Sequence, residues 1–313
     1  MLLNRSAGTL VGAPINEIAR RVEAGLREHG GVAADVRIVD GADMAREARA
    51  AAAGPHDTVV AGGGDGTITS VVEALLGSGK TLGVLPLGTH NHFARHLGLP
   101  TDLDAAVAAL ATATARPLDV AEVNGHPFLN FTGLGRHPLV VREREALREP
   151  RRRNKFVAFT LAFLRALRRM PLVRVGIGVP CANVRWRLTP SVIVCVNPHQ
   201  MRLFGVENAA YTEAETALHL YVARGRRWIA IAWLAVLAVL RRIDVARSFE
   251  VSSLDTLDLH VPRRRVAVTI DGEIRSLVSP LRYRIRRGAL QVLAPAEPAA
   301  AGEPPANGGS TTA

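Results

Sequence analysis

Four glycines surround one acid in Gly62-Gly63-Gly64-Asp65-Gly66-Thr67, between an apolar stretch, Thr58 to Ala61, and a helical pattern, Ile68 to Leu76. Adjacent glycines let a backbone turn sharply and approach a ligand closely. The N-terminus of the following helix offers N–H groups without intrahelical partners and the positive end of its dipole, which together favour phosphate. A carboxylate inside such a loop repels an anion unless a Mg²⁺ stands between them, so Asp65 points to a Mg²⁺–triphosphate rather than to bare phosphate. The bland alternative is a plain strand-to-helix turn.

The loop is neither of two familiar phosphate motifs. Gly79-Lys80-Thr81 imitates the end of a Walker A sequence, but its required first glycine falls at Ala74. The third glycine of a dinucleotide fingerprint falls at Thr67. Lys80 is therefore expected to be a surface turn residue.

A second loop, Gly88-Thr89-His90-Asn91-His92-Phe93-Ala94-Arg95, follows the strand pattern Leu82 to Leu85. In a parallel sheet the loops after neighbouring strand ends converge on one crevice. There Thr89 and Asn91 are candidate hydrogen-bond donors to phosphate or ribose, and Arg95 is a candidate partner for phosphate oxygens. His90, His92 and His96 raise a zinc reading, but no Cys or acid joins them at ligand spacing. A third piece, Ile270-Asp271-Gly272-Glu273, places two carboxylates at the end of a strand. Read alone, it is equally an ordinary acidic hairpin turn.

The elements that must hold these loops change character along the chain. Before about residue 120 strands alternate with helices: Met1–Leu3, Val36–Val39, Thr58–Ala61 and Leu82–Leu85 against Ile15–His29, Ala42–Ala53 and Ile68–Leu76. That alternation predicts a doubly wound parallel sheet with helices on both faces. Beyond it, Leu172–Val179, Val184–Leu188, Val192–Asn197, Ala217–Val222, Thr256–Val261, Val266–Ile270, Tyr283–Ile285 and Leu290–Leu293 read as strands, with helical stretches at Phe156–Arg169 and Trp228–Arg241. The fold expected is α/β plus β: a nucleotide-binding domain over 1–122, a β-sandwich-like acceptor domain over 123–293, an active site in the cleft between them, and a disordered tail over 294–313.

At these segments the chain resembles the diacylglycerol kinase catalytic family, in its bacterial lipid-kinase branch, related in fold to sphingosine kinases and more distantly to NAD kinases. The matching pieces are Asn4-Arg5-Ser6-Ala7-Gly8, Gly62 to Thr67, Pro86-Leu87-Gly88-Thr89 with Asn91 to Arg95, and Asp271-Gly272-Glu273. The resemblance spans about residues 1 to 293 and implies an ATP- and Mg²⁺-dependent kinase acting on a lipid hydroxyl, diacylglycerol first among candidates. It implies that Asn4, Gly8 and Gly62 to Ile68 surround the nucleotide, that Thr89 also touches it, that Asp65 organises Mg²⁺–ATP, and that Glu273 is the general base. Two departures stand out. His92 occupies a position after the loop Asn where the family carries Asp. Glu215-Thr216 replaces an Asp-Gly turn before Leu218-His219-Leu220-Tyr221-Val222, where an acid helps hold a structural metal in the family; Glu215 remains an oxygen ligand for that site.

Composition bounds the partners. Net charge is +11, and it is uneven: −4 over 1–122 and +15 over 123–313. A basic half suggests a polyanionic surface, an anionic bilayer leaflet or nucleic acid. With aromatics at 4% and no basic–aromatic stacking face, nucleic acid is disfavoured. Phe156–Met170, near Arg148 and Arg151-Arg152-Arg153, and Trp228–Leu240 are candidate interfacial helices, each equally readable as a core helix. No apolar run reaches spanning length and no signal peptide is visible, while two cysteines, Cys181 and Cys195, fit a reducing compartment as buried inert thiols. A cytoplasmic, peripherally membrane-associated protein is expected. The alternatives are a soluble NAD-kinase-like phosphotransferase and a non-catalytic nucleotide-binding regulator. Oligomeric state is not legible.

Overall fold

The computed structural model describes residues 1–7, 14–89, 91–135, 172–178, 183–196, 216–224 and 249–295. Both candidate interfacial helices, Gly8, His90, Cys181, Glu215 and nearly all of the expected tail lie outside the described residues.

The front half runs β1 (Leu2–Asn4), α1 (Ile15–Gly30), β2 (Arg37–Val39), α2 (Met44–Ala52), β3 (Thr58–Gly63), α3 (Asp65–Leu75), β4 (Thr81–Pro86), α4 (His92–His96) and α5 (Leu103–Ala111). The four strands are parallel in the order β2-β1-β3-β4. The chain winds outward from β1 to β2, then returns past β1 to β3, which makes the β1/β3 junction the topological switch point where ligands settle in open α/β sheets.

Helix α1 forms because Ile18, Ala19, Val22 and Leu26 recur on one face, and it stops where Gly31 turns left-handed at φ 62° and donates its N–H to Arg27 O. That face packs with Val107 and Leu110 of α5 over Leu3 and Leu85. Helices α2 and α3 cover the opposite face through Met44, Ala48, Ile68, Val71, Val72 and Leu75. Each such fully buried side chain contributes about 1.5–3 kcal/mol.

The rear half is all strand among the described residues: β5 (Thr114–Val123), β6 (His126–Phe128), β7 (Phe131–Gly135), β8 (Val173–Gly178), β9 (Arg185–Thr189), β10 (Ser191–Cys195), β11 (Leu218–Ala223), β12 (Phe249–Leu254), β13 (Thr256–His260), β14 (Arg265–Ile270), β15 (Glu273–Val278) and β16 (Leu281–Ala294). Six of them form an antiparallel sheet in the order β12-β11-β10-β7-β14-β15. It packs against β5, β6, β8, β13 and β16 over Phe128, Leu134, Val194, Leu220, Val268, Leu257 and Tyr283. Thr132 donates a hydroxyl bond to Tyr283 across this core at 3.0 Å. Cys195 is buried and unpaired, with its thiol pushed up to about 12 by burial, as an inert cysteine should be.

The structure differs from the sequence expectation at the domain junction. The expected division after residue 122 falls inside β5, and the two short strands expected at 283–285 and 290–293 are one strand, β16. Its first part pairs with β13, and its last part lies parallel to β4 through Gln291 and Val292. One ten-stranded sheet therefore runs through both halves. A bulge hid this: between Arg286 and Leu290 the register against β5 slips, with Gly288 at φ 54°. The slip shifts the buried residues from odd positions (Leu281, Tyr283) to even ones (Leu290, Val292), which breaks the alternation read as a single strand.

Because β16 completes the front sheet, a charge placed near its end should unfold the front half. Val292 is fully buried. Val292→Asp is expected to abolish the cooperative denaturant unfolding transition and nucleotide binding together, measured by circular dichroism and equilibrium dialysis.

Candidate active site

Three loops meet at the carboxyl ends of β1, β3 and β4, and they are held to one another mainly by backbone and by three polar side chains. Helix α3 begins at Asp65, three residues before the sequence pattern suggested, because Gly64 stays extended at φ −89° and ψ 179° as its cap. Glycine and threonine are tolerated in this first turn, where amides need no helical acceptor. The first bond of the helix is Ile68 N–H to Gly64 O. The amides of Asp65, Gly66 and Thr67 precede it, at the positive end of the helix.

The glycines are required mostly by protein neighbours. A β-carbon on Gly62 would lie 2.4 Å from Leu3 Cδ2, and one on Gly63 would lie 2.6 Å from Thr67 Cβ. A β-carbon on Gly88 would lie 2.3 Å from Gly64 Cα. The glycine loop and the Gly-Thr loop are thus in backbone contact, closer than any side chain permits.

Asp65 has a role that sequence reasoning missed. Its carboxylate accepts the His92 N–H at 3.2 Å and the Phe93 N–H at 3.0 Å, so the first residue of α3 caps the N-terminus of α4. Asn91 was expected to donate to a ligand, but its amide is spent on its own loop. It accepts from Gly88 N–H at 2.8 Å and donates to Pro86 O and Gly88 O at 3.1 and 2.8 Å, with the backbone left-handed at φ 51°. Asn4 is likewise committed. It donates to Thr67 Oγ1 at 2.7 Å and accepts from Ser6 N–H at 2.9 Å, fastening the end of β1 to α3. Thr89 and Arg95 are exposed. Lys80 donates to Gly54 O and is a turn residue, as expected.

The Asp-Gly-Glu segment is both of the things it was read as. Asp271 and Gly272 have φ of 45° and 97° and connect β14 to β15 in a two-residue hairpin turn. That turn brings Glu273 to the start of α3: a β-carbon on Gly66 would lie 3.8 Å from Glu273 Oε1. The base candidate and the glycine loop, about two hundred residues apart in sequence, are neighbours in space.

What fixes the hairpin there is Asp271. It accepts from Thr69 Oγ1 of α3 at 3.0 Å and from the amides of Leu129, Asn130 and Phe131 at 2.8, 2.9 and 3.0 Å. Burial pushes its carboxyl up to about 6, against the pull of these four donors. Beside it, Arg275 on β15 bonds Glu73 on α3 at 3.3 and 3.1 Å, and His126 on β6 accepts from the same guanidinium at 3.0 Å. Thr69, Glu73, His126 and Arg275 went unnoticed in the sequence. Glu73 left one trace there, as the only charged side chain of α3 after Asp65.

Among the described residues no group of three or more His, Cys, Asp or Glu forms a metal cluster. Glu215, the expected structural-metal ligand, lies outside them. Its neighbour Thr216 donates to Asp119, which also accepts from Gly288 N–H and Arg287. A guanidinium therefore already balances that acid.

Two outcomes follow. Gly88→Ala forces the two loops apart and is expected to lower stability by about 1–3 kcal/mol and to weaken nucleotide binding, measured by thermal denaturation and calorimetry. Because the Asp271 carboxyl is raised from 3.8 to about 6, its contribution to stability is full below the unfolded value and is lost as pH climbs through 6. The unfolding free energy relative to Asp271→Asn should therefore fall over that window, with a slope of at most about 1.4 kcal/mol per pH unit.

Known proteins resemble this chain in sequence or in fold. Residues 1–123 match the diacylglycerol kinase catalytic domain. A Pseudomonas aeruginosa protein named as a YegS-like lipid kinase is 49% identical over 119 residues, covering 37% of this chain and 39% of that protein. A Bacillus subtilis diacylglycerol kinase is 45% identical over 97 residues, covering 30% and 32%. The matched sequence thus spans 39% or less of these two relatives' own lengths. A solved Bacillus anthracis protein named as a diacylglycerol kinase superposes with TM-score 0.68 at 21% identity, over 94% of this chain and 95% of its own, and so shares the fold. By sequence, residues 1–123 of this chain are thus similar to the diacylglycerol kinase catalytic domain.

Proposed function

We propose that the protein is an ATP-dependent lipid kinase that transfers the γ-phosphoryl group to a lipid hydroxyl, with diacylglycerol as acceptor and phosphatidic acid as product. The observation that carries this reading is the Glu273 carboxylate standing over Gly66, at the amide-rich start of α3. The amides of α3 receive the triphosphate. Glu273 takes the proton from the acceptor hydroxyl, the hydroxyl oxygen forms the new bond to γ-phosphorus, and the bond from that phosphorus to the β,γ-bridging oxygen breaks, releasing ADP. Charge neutralisation and positioning do most of the work in so loose a transition state.

Mg²⁺ fits as an ion carried by the triphosphate, to neutralise its charge, because the described acids make no cage of their own. Asp65, within the glycine loop, is the candidate acid for it. Both its oxygens already accept an amide, so its metal role and its capping role share one carboxylate.

An anionic bilayer is the proposed surface on which the acceptor is met. No helix among the described residues is long and apolar enough to cross a membrane. Edge strand β9 exposes Trp186 and Leu188, preceded by exposed Val184, on one face beside exposed Arg174, whose guanidinium lies 4.8 Å from the Trp186 ring, while exposed Arg185 and Arg187 project from the other face. An apolar row with arginines suits insertion among anionic headgroups.

Glu273→Gln should cut turnover by about 10²–10⁴-fold in an assay with labelled ATP and a panel of lipids, with nucleotide affinity nearly unchanged. Wild-type turnover in that variant removes Glu273 from the base role, and phosphorylation of soluble acceptors only would favour a soluble phosphotransferase. Vesicles of phosphatidylglycerol should bind the protein less as salt rises, since screening shortens the reach of the arginines.

A further inference from the structure

Arg275 stands between two carboxylates, pairs with both, and holds one of them more closely than the other. Its Nη1 and Nη2 donate to Glu73 Oε1 and Oε2 at 3.3 and 3.1 Å, a two-pronged pair that matches guanidinium to carboxylate. The same Nη2 lies 3.7 Å from Glu273 Oε2, within the reach of charge but beyond a hydrogen bond. Glu273 and Arg275 are two residues apart on β15 and so project from the same side of the strand. Left to itself, this arginine would close on the carboxylate next to it.

A carboxylate bonded to arginine is a poor base, because the ion pair stabilises its charged form and lowers its proton affinity. We propose that Glu73 is a positioning residue that draws Arg275 away from Glu273 and so keeps Glu273 basic. The inference rests on the reading of Glu273 as the base.

The surroundings are consistent with this division. Burial works against the Glu73 charge, but the two bonds from Arg275 outweigh it and hold Glu73 below the usual carboxylate range. The bond to Glu73 in turn raises Arg275, and the weaker pairing with Glu273 adds to it. His126 Nδ1 accepts from Arg275 at 3.0 Å and lies 3.6 Å from Glu73 Oε1, closing the third side of the guanidinium. Of the other acids around the hairpin and the start of α3, Asp271 is turned inward to its four donors and Asp65 to the amides of α4. Arg275, Glu73 and His126 are thus the described groups left to set the charge around Glu273. Because α3 carries both Glu73 and the start of the phosphate loop, one rigid helix orients the nucleotide and restrains the arginine.

The test is the pH dependence of kcat/KM, with nucleotide affinity measured separately, in Glu73→Gln, Arg275→Met and the double variant. A general base acts unprotonated, so the acid limb of kcat/KM reports on it. Glu73→Gln should release Arg275 onto Glu273 and move the limb down by roughly one pH unit, with a lower plateau and little change in ATP affinity. Arg275→Met should move the limb up. The double variant should follow Arg275→Met and regain plateau rate lost in Glu73→Gln. A purely structural cross-link would lower activity in both single variants with the limb in place, and limbs that stay put or shift the same way overturn the proposal. Should Glu73→Gln fail to fold, Glu73→Asp, which keeps the charge and shortens its reach, is expected to give a smaller downward shift; no shift there also overturns it. If Glu273→Gln itself keeps the wild-type rate and limb, the base assignment fails instead, which separates the two ideas.

Discussion

The site depends on one buried carboxylate. The Asp271 carboxylate is turned away from solvent, and such a charge persists only where donors replace the lost solvation. Here three backbone amides and one threonine hydroxyl do so, drawn from the loop before β7 and from α3. These donors belong to both halves of the molecule. Satisfying Asp271 therefore requires that the hairpin, the 129–131 loop and the helix that starts the glycine loop meet in one arrangement. Glu273 is two residues further along a tight turn and is carried into place by it.

The same economy governs the front loops. Asn4, Asp65 and Asn91, the polar side chains that look most suited to gripping a ligand, are engaged with their own protein. One ties β1 to α3, one caps α4, and one folds the Gly-Thr loop on itself. Besides the Glu273 carboxylate, the start of α3 offers backbone amides. Backbone donors fixed by such bonds need no reordering when charge develops on a phosphoryl group, whereas flexible side chains would have to be ordered during the reaction.

Continuity of the sheet supports this rigidity at larger scale. Strand β16 belongs to the rear sandwich at Leu281 and to the front sheet at Val292, and β5 runs antiparallel beside it through much of that passage. The two halves are therefore joined by ladder hydrogen bonds rather than by a linker. The bulge between Arg286 and Leu290 lets a single strand present its apolar side to two different cores.

Local patterns were legible in the sequence because their causes are local. Periodicity placed α1 within one residue, glycine spacing marked the loop after β3, and an Asp-Gly pair marked a turn that needs positive φ. The alternation of strands and helices gave the front half its parallel sheet, and the resemblance pointed to Glu273. The unity of β16 was hidden by a bulge that inverts the phase of alternation. The roles of Asp65, Asn91 and Asn4 were assigned to a ligand because a sequence shows that a side chain is polar but not which partner lies nearest. Glu73, His126 and Arg275 come from three separate elements, and nothing in the spacing of 73, 126 and 275 announces that they meet. By itself the sequence determined most of the front strands and helices and about half of the rear strands, but not α4, α5, β5 to β7, β12 or β15, and it marked residues with the chemistry for phosphoryl transfer. Only the tertiary structure decided which of those residues face the crevice and which are used up holding it open, because hydrogen bonds and ion pairs form between neighbours in space, and each polar atom has few bonds to give.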